Sequence, residues 1–298
     1  MTIHLTGSSG FVGLNLKPFL EKKGLSVSAL NLRGEWQKEV FETNDCIIHL
    51  AGKAHDLKNT SVSADYYNIN YELTKELYDK FLISASDRFI FISSVKASAD
   101  SIDEILTEQH SPDPKTHYGK SKLMAEQYIE AQPLPAGKSY YILRPCMIHG
   151  PGNKGNLNLL YKFIQKGIPY PLAAFENRRS YLSIDNLCFL ISELINQKDV
   201  PVGIYHVADD YALSTNEVVS ILADSMDKKA RLWHISSGLI FWMARIGDKL
   251  GLPLNSERLK KLTENYVVSN TKIISALNSK LPLSSVEGLK LTAKSFKI

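Results

Sequence analysis

The chain has 298 residues, of which 44% are hydrophobic and 22% charged, and its formal net charge is +4. This balance is typical of a folded globular protein and excludes a largely disordered chain. We expect this small basic excess to be scattered along the sequence, so it does not indicate a nucleic-acid partner, which normally needs a concentrated basic face. A chain of this length predicts one large domain or two unequal lobes.

The three cysteines, Cys46, Cys146 and Cys188, are far apart and form no CxxC pair. This pattern predicts a reducing compartment, with neither a disulfide framework nor a metal site. A motif begins within the first ten residues, so we expect no signal peptide. The longest apolar stretch, 238–252, is interrupted by charges and is too short to span a bilayer. We therefore expect a cytoplasmic protein without stable membrane insertion.

Short apolar runs alternate with helical apolar spacing through the first half of the chain. Near-continuous apolar strands between amphipathic helices are typical of a parallel sheet covered on both faces. The sequence thus predicts an α/β fold with a Rossmann-type doubly wound parallel sheet. The predicted strands are 2–6, 26–30, 46–50, 88–92 and 140–143, and the predicted helices are 11–20, 66–83 and 118–131.

The character of the sequence changes after residue 145. Residues 146–179 read as irregular and rich in Gly, Asn and Pro, and they are followed by short elements predicted at 204–207, 215–223, 239–250 and 270–277. We predict a dinucleotide-binding domain at 1–145, with returning elements around 178–208. A smaller mixed C-terminal lobe, formed by 146–177 and 209–298, is predicted to bind the substrate.

The segment 239–250 contains Phe241 and Trp242 and admits two interpretations. One is a helix anchored on a membrane surface. A core or lobe-packing helix is the more common role of such an apolar stripe.

A GxxGxxG loop lies between the first predicted strand and the first predicted helix. Glycines there permit a tight turn and a close approach of the backbone to a diphosphate, which the N–H groups of the helix N-terminus can bind. The position directly after a strand and before a helix makes dinucleotide binding the favoured interpretation. The candidate cofactor contacts are Gly7, Gly10, Phe11, Val12 and Gly13.

The end of the second strand leaves the choice between NADP and NAD open. An acidic residue normally binds the adenosine ribose hydroxyls there, but this chain has Asn31, with Arg33 nearby. Arg33 could pair with the 2′-phosphate of NADP. Alternatively, Asn31 hydrogen-bonds the hydroxyls of NAD and Arg33 is solvated.

Tyr118 and Lys122 form a YxxxK pair at the start of a predicted helix. Residues four apart lie on one helix face, so both side chains can reach one site. A nearby ammonium and an oxidised nicotinamide are expected to lower the pKa of the Tyr118 phenol, which then exchanges a proton during hydride transfer. Ser94, just after the fourth strand, is expected to hydrogen-bond the same substrate oxygen.

With these residues, the sequence resembles the extended short-chain dehydrogenases/reductases, specifically the NAD-dependent epimerase/dehydratase family acting on nucleotide sugars. Matching segments follow in the family's order through nearly the whole chain: GSSGFVG, DCIIHLAG at 45–52, Asn70 with Thr74, Ser93-Ser94, Tyr118 with Lys122, LRP at 143–145, GPG at 150–152, and RRSYLSIDNL at 178–187. This sequence differs from the family's pattern at three positions. Gly52 replaces the family's second alanine, Leu73 replaces a glycine, and Ser98 stands where the family often has a tyrosine.

The resemblance implies further site residues. Leu50, Ala51, Gly52, Asn70, Tyr118 and Lys122 would contact the cofactor, in addition to the loop residues. Arg179 would contact the nucleotide diphosphate, and a guanidinium suits phosphate oxygens. Lys154 and Asn156 fall where relatives bind the nucleotide, with Asn156 the preferred contact. Arg258 is either a second phosphate ligand or a solvated helix residue, and a homodimer is possible because relatives often dimerise.

The expected function is reduction of the 4-keto group of a UDP-4-keto-6-deoxy-N-acetylhexosamine in surface-polysaccharide biosynthesis, because GPGNKGN and NRRSYLSIDNL most resemble that branch. A UDP-sugar 4-epimerase is the alternative, and a non-catalytic dinucleotide sensor is a third hypothesis. Dehydration is disfavoured, since Val95-Lys96 stands where dehydrating relatives carry an Asp-Glu pair.

Overall fold

The structure is a computed structural model that describes residues 1–53, 62–153, 155–250 and 255–296. Its central element is a six-stranded parallel sheet. The strands, in chain order, are β1 (Thr2–Thr6), β2 (Ser26–Leu30), β3 (Cys46–His49), β4 (Arg88–Ile92), β5 (Ser139–Pro145), β6 (Met147–His149), β7 (Tyr181–Ser183) and β8 (Gly203–Val207). The main sheet has the order β2-β1-β3-β4-β5-β8 with every neighbouring pair parallel, while β6 and β7 form a small parallel sheet.

Helices cover both faces of the main sheet and build the rest of the C-terminal half. In chain order they are α1 (Phe11–Lys22), α2 (Ser63–Tyr67), α3 (Leu73–Ile83), α4 (His117–Ala131), α5 (Asn156–Gln165), α6 (Ile184–Asn196), α7 (Thr215–Asp224), α8 (Ser237–Leu250), α9 (Ser256–Thr263), α10 (Thr271–Leu277) and α11 (Ser285–Ser295). A π-helical turn, Asn68–Glu72, joins α2 to α3.

Burial on both faces explains why the central strands are apolar throughout. All four residues of β3 and the last four of β4 are buried, since the helices on each side exclude water from both faces of the sheet. The predicted α/β fold with a Rossmann-type parallel sheet is therefore confirmed.

The topology places a crevice at the carboxyl ends of the strands. The strand order reverses between β1 and β3, and ligands of open α/β sheets bind at such a switch point. The glycine loop follows β1, residues 50–53 follow β3, and Ser93-Ser94 follow β4. Parallel pairing brings these three segments to the same edge.

The prediction that residues 146–179 are irregular is wrong, because they contain β6 and α5. Leu157, Tyr161 and Ile164 of α5 lie on one face and are buried in a second core, together with residues of α7, α8, α9 and α11. The asparagines and glycines around this helix obscured its period in the sequence. The assignment of this half to substrate binding stays a prediction.

No helix in the described parts of the chain is long and apolar enough to cross a membrane.

Candidate active site

The glycine loop is shaped so that its backbone passes close to the end of β3. Gly7 has a φ of +64°, and a Cβ there would lie 2.7 Å from the backbone nitrogen of Ala51. A Cβ on Gly13 would collide with the backbone of Gly7 and Ser8. Gly10 has no side chain with which to cap α1, so it leaves the backbone N–H groups of the first turn of this helix available to an anion. This cradle fits a dinucleotide diphosphate.

The neighbouring predicted cofactor contacts are held by β1 and by the main core. The Thr6 hydroxyl oxygen accepts hydrogen bonds from the backbone N–H groups of Leu50 (3.1 Å) and Ala51 (3.0 Å). Phe11 and Val12, at the start of α1, are half-buried and pack against the main hydrophobic core. These contacts fix the two loops that form the walls of the crevice.

Gly52, Asn70 and Lys122 come together beside this loop. A Cβ on Gly52 would lie 3.0 Å from Asn70 Oδ1 and 3.1 Å from Lys122 Nζ. Fully buried Asn70 accepts a hydrogen bond from the backbone N–H of Lys53 (2.7 Å) and donates one to the Ser121 hydroxyl (3.0 Å). The departure from alanine at Gly52 therefore leaves room for two polar side chains that are themselves held in place.

His49 connects β1 to the helix that carries Asn70. Because Thr6 Oγ1 accepts two N–H groups, its own proton can be donated to His49 Nδ1 (2.8 Å), and His49 Nε2–H then donates to Thr74 Oγ1 (2.9 Å). The Thr74 hydroxyl donates to the carbonyl of Asn70 (2.8 Å). Burial lowers the pKa of His49 to about 3, so the ring is neutral. His49 therefore acts as a buried core residue.

Tyr118 and Ser94 share a side-chain hydrogen bond. Thr116 caps α4 by accepting the backbone N–H of Gly119, which sets the helix start and places Tyr118 in its first turn. Ser94 caps the turn after β4. The pKa of Tyr118 is raised by burial, and the lowering contribution comes from Ser94. The lowering of this pKa by Lys122 together with an oxidised nicotinamide stays a prediction.

Lys122 lies one helical turn after Tyr118 and is buried. Its Nζ donates to the carbonyl oxygen of Ile92 (2.9 Å) and stands 4.6 Å from the ring centre of Phe91. Burial lowers its pKa to about 8, against an opposing contribution from Glu126. The ammonium is thus anchored to the end of β4, where Ser94 also lies.

A buried ion pair supports this end of β4, and sequence reasoning missed it. Glu126 accepts hydrogen bonds from Arg144 Nε (3.0 Å) and from the Ser93 hydroxyl, and all three residues are buried. Glu126 is four residues after Lys122, so helix spacing places it on the same face of α4 but does not identify its partner. Arg144 belongs to the LRP segment, whose role the sequence did not reveal.

The end of β2 is an exposed turn built by Asn31. Its side-chain Oδ1 accepts the backbone N–H of Arg33 (3.1 Å), and its carbonyl accepts the N–H of Gly34 (3.2 Å). Asn31 and Arg33 are both exposed at the edge of the sheet. The turn therefore presents an amide and a guanidinium, and no carboxylate, at the predicted ribose position.

The predicted substrate contacts belong to the C-terminal half. The guanidinium of Arg179 donates to the carbonyl of Lys261 (2.9 Å) and pairs with Glu264 (3.4 Å), at the end of α9. Exposed Asn156 begins α5, and exposed Arg258 lies in the first turn of α9. Lys154 lies outside the described residues. If Arg179 binds the diphosphate, its guanidinium would thus have to interact with the phosphate oxygens and with Glu264 at the same time.

A polar cavity of about 480 Å³ lies next to Arg178, which precedes the predicted contact. The guanidinium of Arg178 donates to the Tyr211 hydroxyl (3.0 Å), and the Arg178 backbone N–H donates to Asn265 Oδ1. None of the residues that line it is among the site residues predicted from the sequence. Its lining residues are Glu176, Asn177, Arg178, Ser214, Asn216, Glu217 and Asn265.

Within residues 1–53, 62–153, 155–250 and 255–296, no group of three or more His, Cys, Asp and Glu side chains is arranged to hold a metal ion.

The fold is that of the extended short-chain dehydrogenases/reductases, as the resemblance implied. The chain belongs to the NAD dependent epimerase/dehydratase family, whose model matches residues 3–208. The predictions of an NAD(P)-dependent enzyme and of a nicotinamide cofactor are thereby confirmed. The roles of individual site residues stay predictions.

The chain is similar to two curated relatives and to one solved structure. A UDP-glucose 4-epimerase of Vibrio cholerae is 30% identical, over 99% of this chain and 95% of the relative. An N-acetyl-alpha-D-glucosaminyl-diphospho-ditrans,octacis-undecaprenol 4-epimerase of Escherichia coli O157:H7 is 27% identical, over 78% of this chain and 74% of the relative. The crystal structure of a UDP-N-acetylglucosamine 4-epimerase from Bacillus cereus matches with a TM-score of 0.77 at 18% identity, covering 100% of both chains.

Proposed function

We propose that this protein reduces the 4-keto group of a UDP-4-keto-6-deoxy-N-acetylhexosamine, as part of surface-polysaccharide biosynthesis. The observation that carries the proposal is the hydrogen bond between Ser94 and Tyr118, which brings two hydroxyl groups together after the end of β4. A neutral phenol at this place can give its proton to a ketone oxygen when hydride is added to the carbon.

Each residue of the pair has a distinct part in this reaction. A bound nicotinamide cofactor supplies the hydride. Tyr118 gives its phenolic proton to the oxygen at C4, and Ser94 donates a hydrogen bond to that same oxygen. Lys122, with an ammonium anchored to the carbonyl of Ile92, stabilises the phenolate that remains on Tyr118.

The turn at Asn31 supports NADPH as a cofactor. The 2′-phosphate of NADP would meet the exposed Arg33, and at position 31 it would meet an amide in place of a repelling carboxylate. A reductase must release its oxidised cofactor after each turnover, and an exposed turn at the sheet edge suits an exchangeable cofactor.

The residues after Ser94 disfavour dehydration. Val95 is buried, and the Lys96 ammonium donates to the carbonyl of Asp100 (2.7 Å). Removing a proton from C5 and a hydroxyl from C6 calls for an acid and a base. Neither Val95 nor Lys96 offers a carboxylate for that chemistry.

A UDP-sugar 4-epimerase is the second candidate, favoured by the names of the relatives from Vibrio cholerae and Escherichia coli. An epimerase oxidises C4 first, so Tyr118 would have to act initially as a base. It would also retain one cofactor molecule through both hydride transfers.

The test is the stoichiometry of nicotinamide consumption. We expect one NADPH or NADH to be oxidised for each UDP-4-keto-6-deoxy-N-acetylhexosamine converted, as measured by absorbance and by product analysis. Interconversion of UDP-glucose and UDP-galactose, or of their N-acetyl forms, without net change in nicotinamide absorbance would establish the epimerase instead. Cofactor binding without turnover of either substrate set would favour the non-catalytic sensor.

A further inference from the structure

Helix α8 (Ser237–Leu250) has one buried face and one apolar face that is exposed. Ile240, Ala244 and Gly247 are buried, with Ile240 and Ala244 in the second core. Leu239, Met243, Ile246 and Leu250 follow the spacing i, i+4, i+7, i+11 and therefore share a different face. Leu239, Met243 and Leu250 are 50%, 46% and 68% exposed, and Ile246 between them is half-buried.

A cationic stripe runs along one side of this apolar face. Trp242 is 60% exposed and stands at the boundary between the two. Arg245 and Lys249 follow Trp242 at i+3 and i+7 and are both exposed, so the three side chains lie along one line. Helix α8 thus combines an indole, aliphatic side chains and cations on its solvent-exposed side.

The sequence segment that contains α8 has a different net charge from the rest of the chain. Residues 228–261 contain eight basic and two acidic residues, a net charge of +6, whereas the whole chain carries +4. All eight basic residues are exposed: Lys228, Lys229, Arg231, Arg245, Lys249, Arg258, Lys260 and Lys261. The remainder of the chain is therefore net acidic, and the expectation of a scattered basic excess is wrong.

We infer that α8 docks this protein on an anionic phospholipid surface, with the helix lying in the plane of the interface. The apolar face of Leu239, Met243, Ile246 and Leu250 inserts below the headgroups, and Arg245 and Lys249 contact lipid phosphates. An exposed apolar face rimmed by Lys and Arg, with a Trp at the boundary, is typical of such helices. The net charge of +6 over residues 228–261 is complementary to an anionic surface, which is why we assign a membrane as the occupant.

The first experiment is flotation of the full chain with lipid vesicles. We expect binding to vesicles of phosphatidylcholine with phosphatidylglycerol, little binding to phosphatidylcholine alone, and weaker binding at high salt. Trp242 emission should shift to shorter wavelength on binding. Equal binding to neutral and anionic vesicles, or absence of binding to both, would overturn the proposal.

Variants assign the binding to α8. Trp242→Ser/Met243→Ser should abolish the vesicle-bound fraction, and Arg245→Gln/Lys249→Gln should lower the partition coefficient about 30-fold, since each cation contributes about 1 kcal/mol at an anionic surface. The matched controls are Ile83→Ser, at an exposed apolar residue ending α3, and Lys290→Gln, at an exposed lysine of α11; both should bind like the wild type.

Two further measurements keep the outcome unambiguous. Cofactor affinity and the thermal unfolding midpoint should be unchanged in the α8 variants, because the substituted side chains are exposed. If the wild type is instead oligomeric by size-exclusion chromatography, becomes monomeric in Trp242→Ser/Met243→Ser, and does not float, then α8 binds a second copy of the chain and the membrane proposal is wrong.

Discussion

Glu126 and Arg144 form a buried ion pair in which Arg144 Nε lies 3.0 Å from Oε1 and 3.1 Å from Oε2 of the carboxylate. The pair joins α4 to β5, and the carboxylate also accepts a hydrogen bond from Ser93 at the end of β4. Since Lys122 is one turn before Glu126 on α4, this contact sets the position of the helix that carries the candidate catalytic residues.

Replacing Glu126 by alanine should destabilise the fold by about 3–5 kcal/mol, because it leaves the buried guanidinium of Arg144 without a counter-charge. Urea unfolding of the purified protein measures this loss. The double variant Glu126→Met/Arg144→Met removes both charges and should recover most of the stability. A double variant less stable than Glu126→Ala would show that the unpaired charge is not the cause.

How much of this site is predictable from sequence depends on how local each signal is. The glycine loop and Tyr118 with Lys122 are readable because turn geometry and helix spacing act over a few residues. The pairing of Arg144 with Glu126 and of Arg179 with Glu264 depends on tertiary contacts, and the pKa of Tyr118 depends on burial. None of these follows from spacing.

The C-terminal helices also combine local sequence signals with features that only tertiary contacts determine. α11 was not predicted, although Ser284 and Glu287 form a capping box whose Ser-x-x-Glu spacing is local. The exposed apolar face of α8 was present in the sequence as an apolar stripe, but only the structure shows that Ile240 and Ala244 face the core while Trp242 and Leu250 do not.

Gly52→Ala should lower kcat on the order of 10-fold while leaving the fold intact. The added Cβ would stand 3.1 Å from Lys122 Nζ and 3.0 Å from Asn70 Oδ1, so both polar atoms must move by a few tenths of an ångström. Gly238→Ala, where a Cβ meets nothing nearer than 3.7 Å, is the matched control. Steady-state kinetics showing equal kcat for both variants would contradict this account.

The pH dependence should follow Lys122, whose pKa is lowered to about 8 by burial. We expect kcat/KM to fall above about pH 8 as the ammonium is lost, since this parameter reports groups of the free enzyme. Lys122→Arg, which keeps its charge, should lose activity but not this alkaline decline. A decline at the same pH in Lys122→Arg would assign it to another group.

The lowered pKa of Lys122 also makes the stability of the fold depend on pH. Because the folded-state pKa of Lys122 lies below the ordinary value of 10.5, the unfolded chain binds more protons between about pH 8 and 10.5. The contribution of Lys122 to stability therefore rises with pH across that window. Urea unfolding of wild type and Lys122→Met should show this difference in slope, and parallel pH profiles would contradict it.

Asn31→Asp should move cofactor preference toward NADH. A carboxylate at this exposed turn repels the 2′-phosphate of NADPH, while it can accept hydrogen bonds from the ribose hydroxyls of NADH. Dissociation constants for both cofactors, measured by fluorescence titration, give the ratio. Arg33→Gln should weaken NADPH binding and leave NADH unaffected, and an unchanged ratio in both variants would remove this turn from cofactor selection.

Tyr118→Phe should cut kcat by about 10²–10⁴ and leave the dissociation constant of the cofactor nearly unchanged, because phenylalanine lacks only the hydroxyl group whose proton the reaction requires. Ser94→Ala should lower kcat less, since it removes a hydrogen bond to the substrate oxygen but retains the proton donor. It should also raise the pKa of Tyr118 further, because the hydrogen bond with Ser94 is what opposes the effect of burial. Tyr66→Phe is the control, as Tyr66 contacts the Tyr118 ring at 6.3 Å between centroids and offers a second hydroxyl in the same region. If Tyr118→Phe turned over at the wild-type rate while Tyr66→Phe did not, the proton donor would be Tyr66.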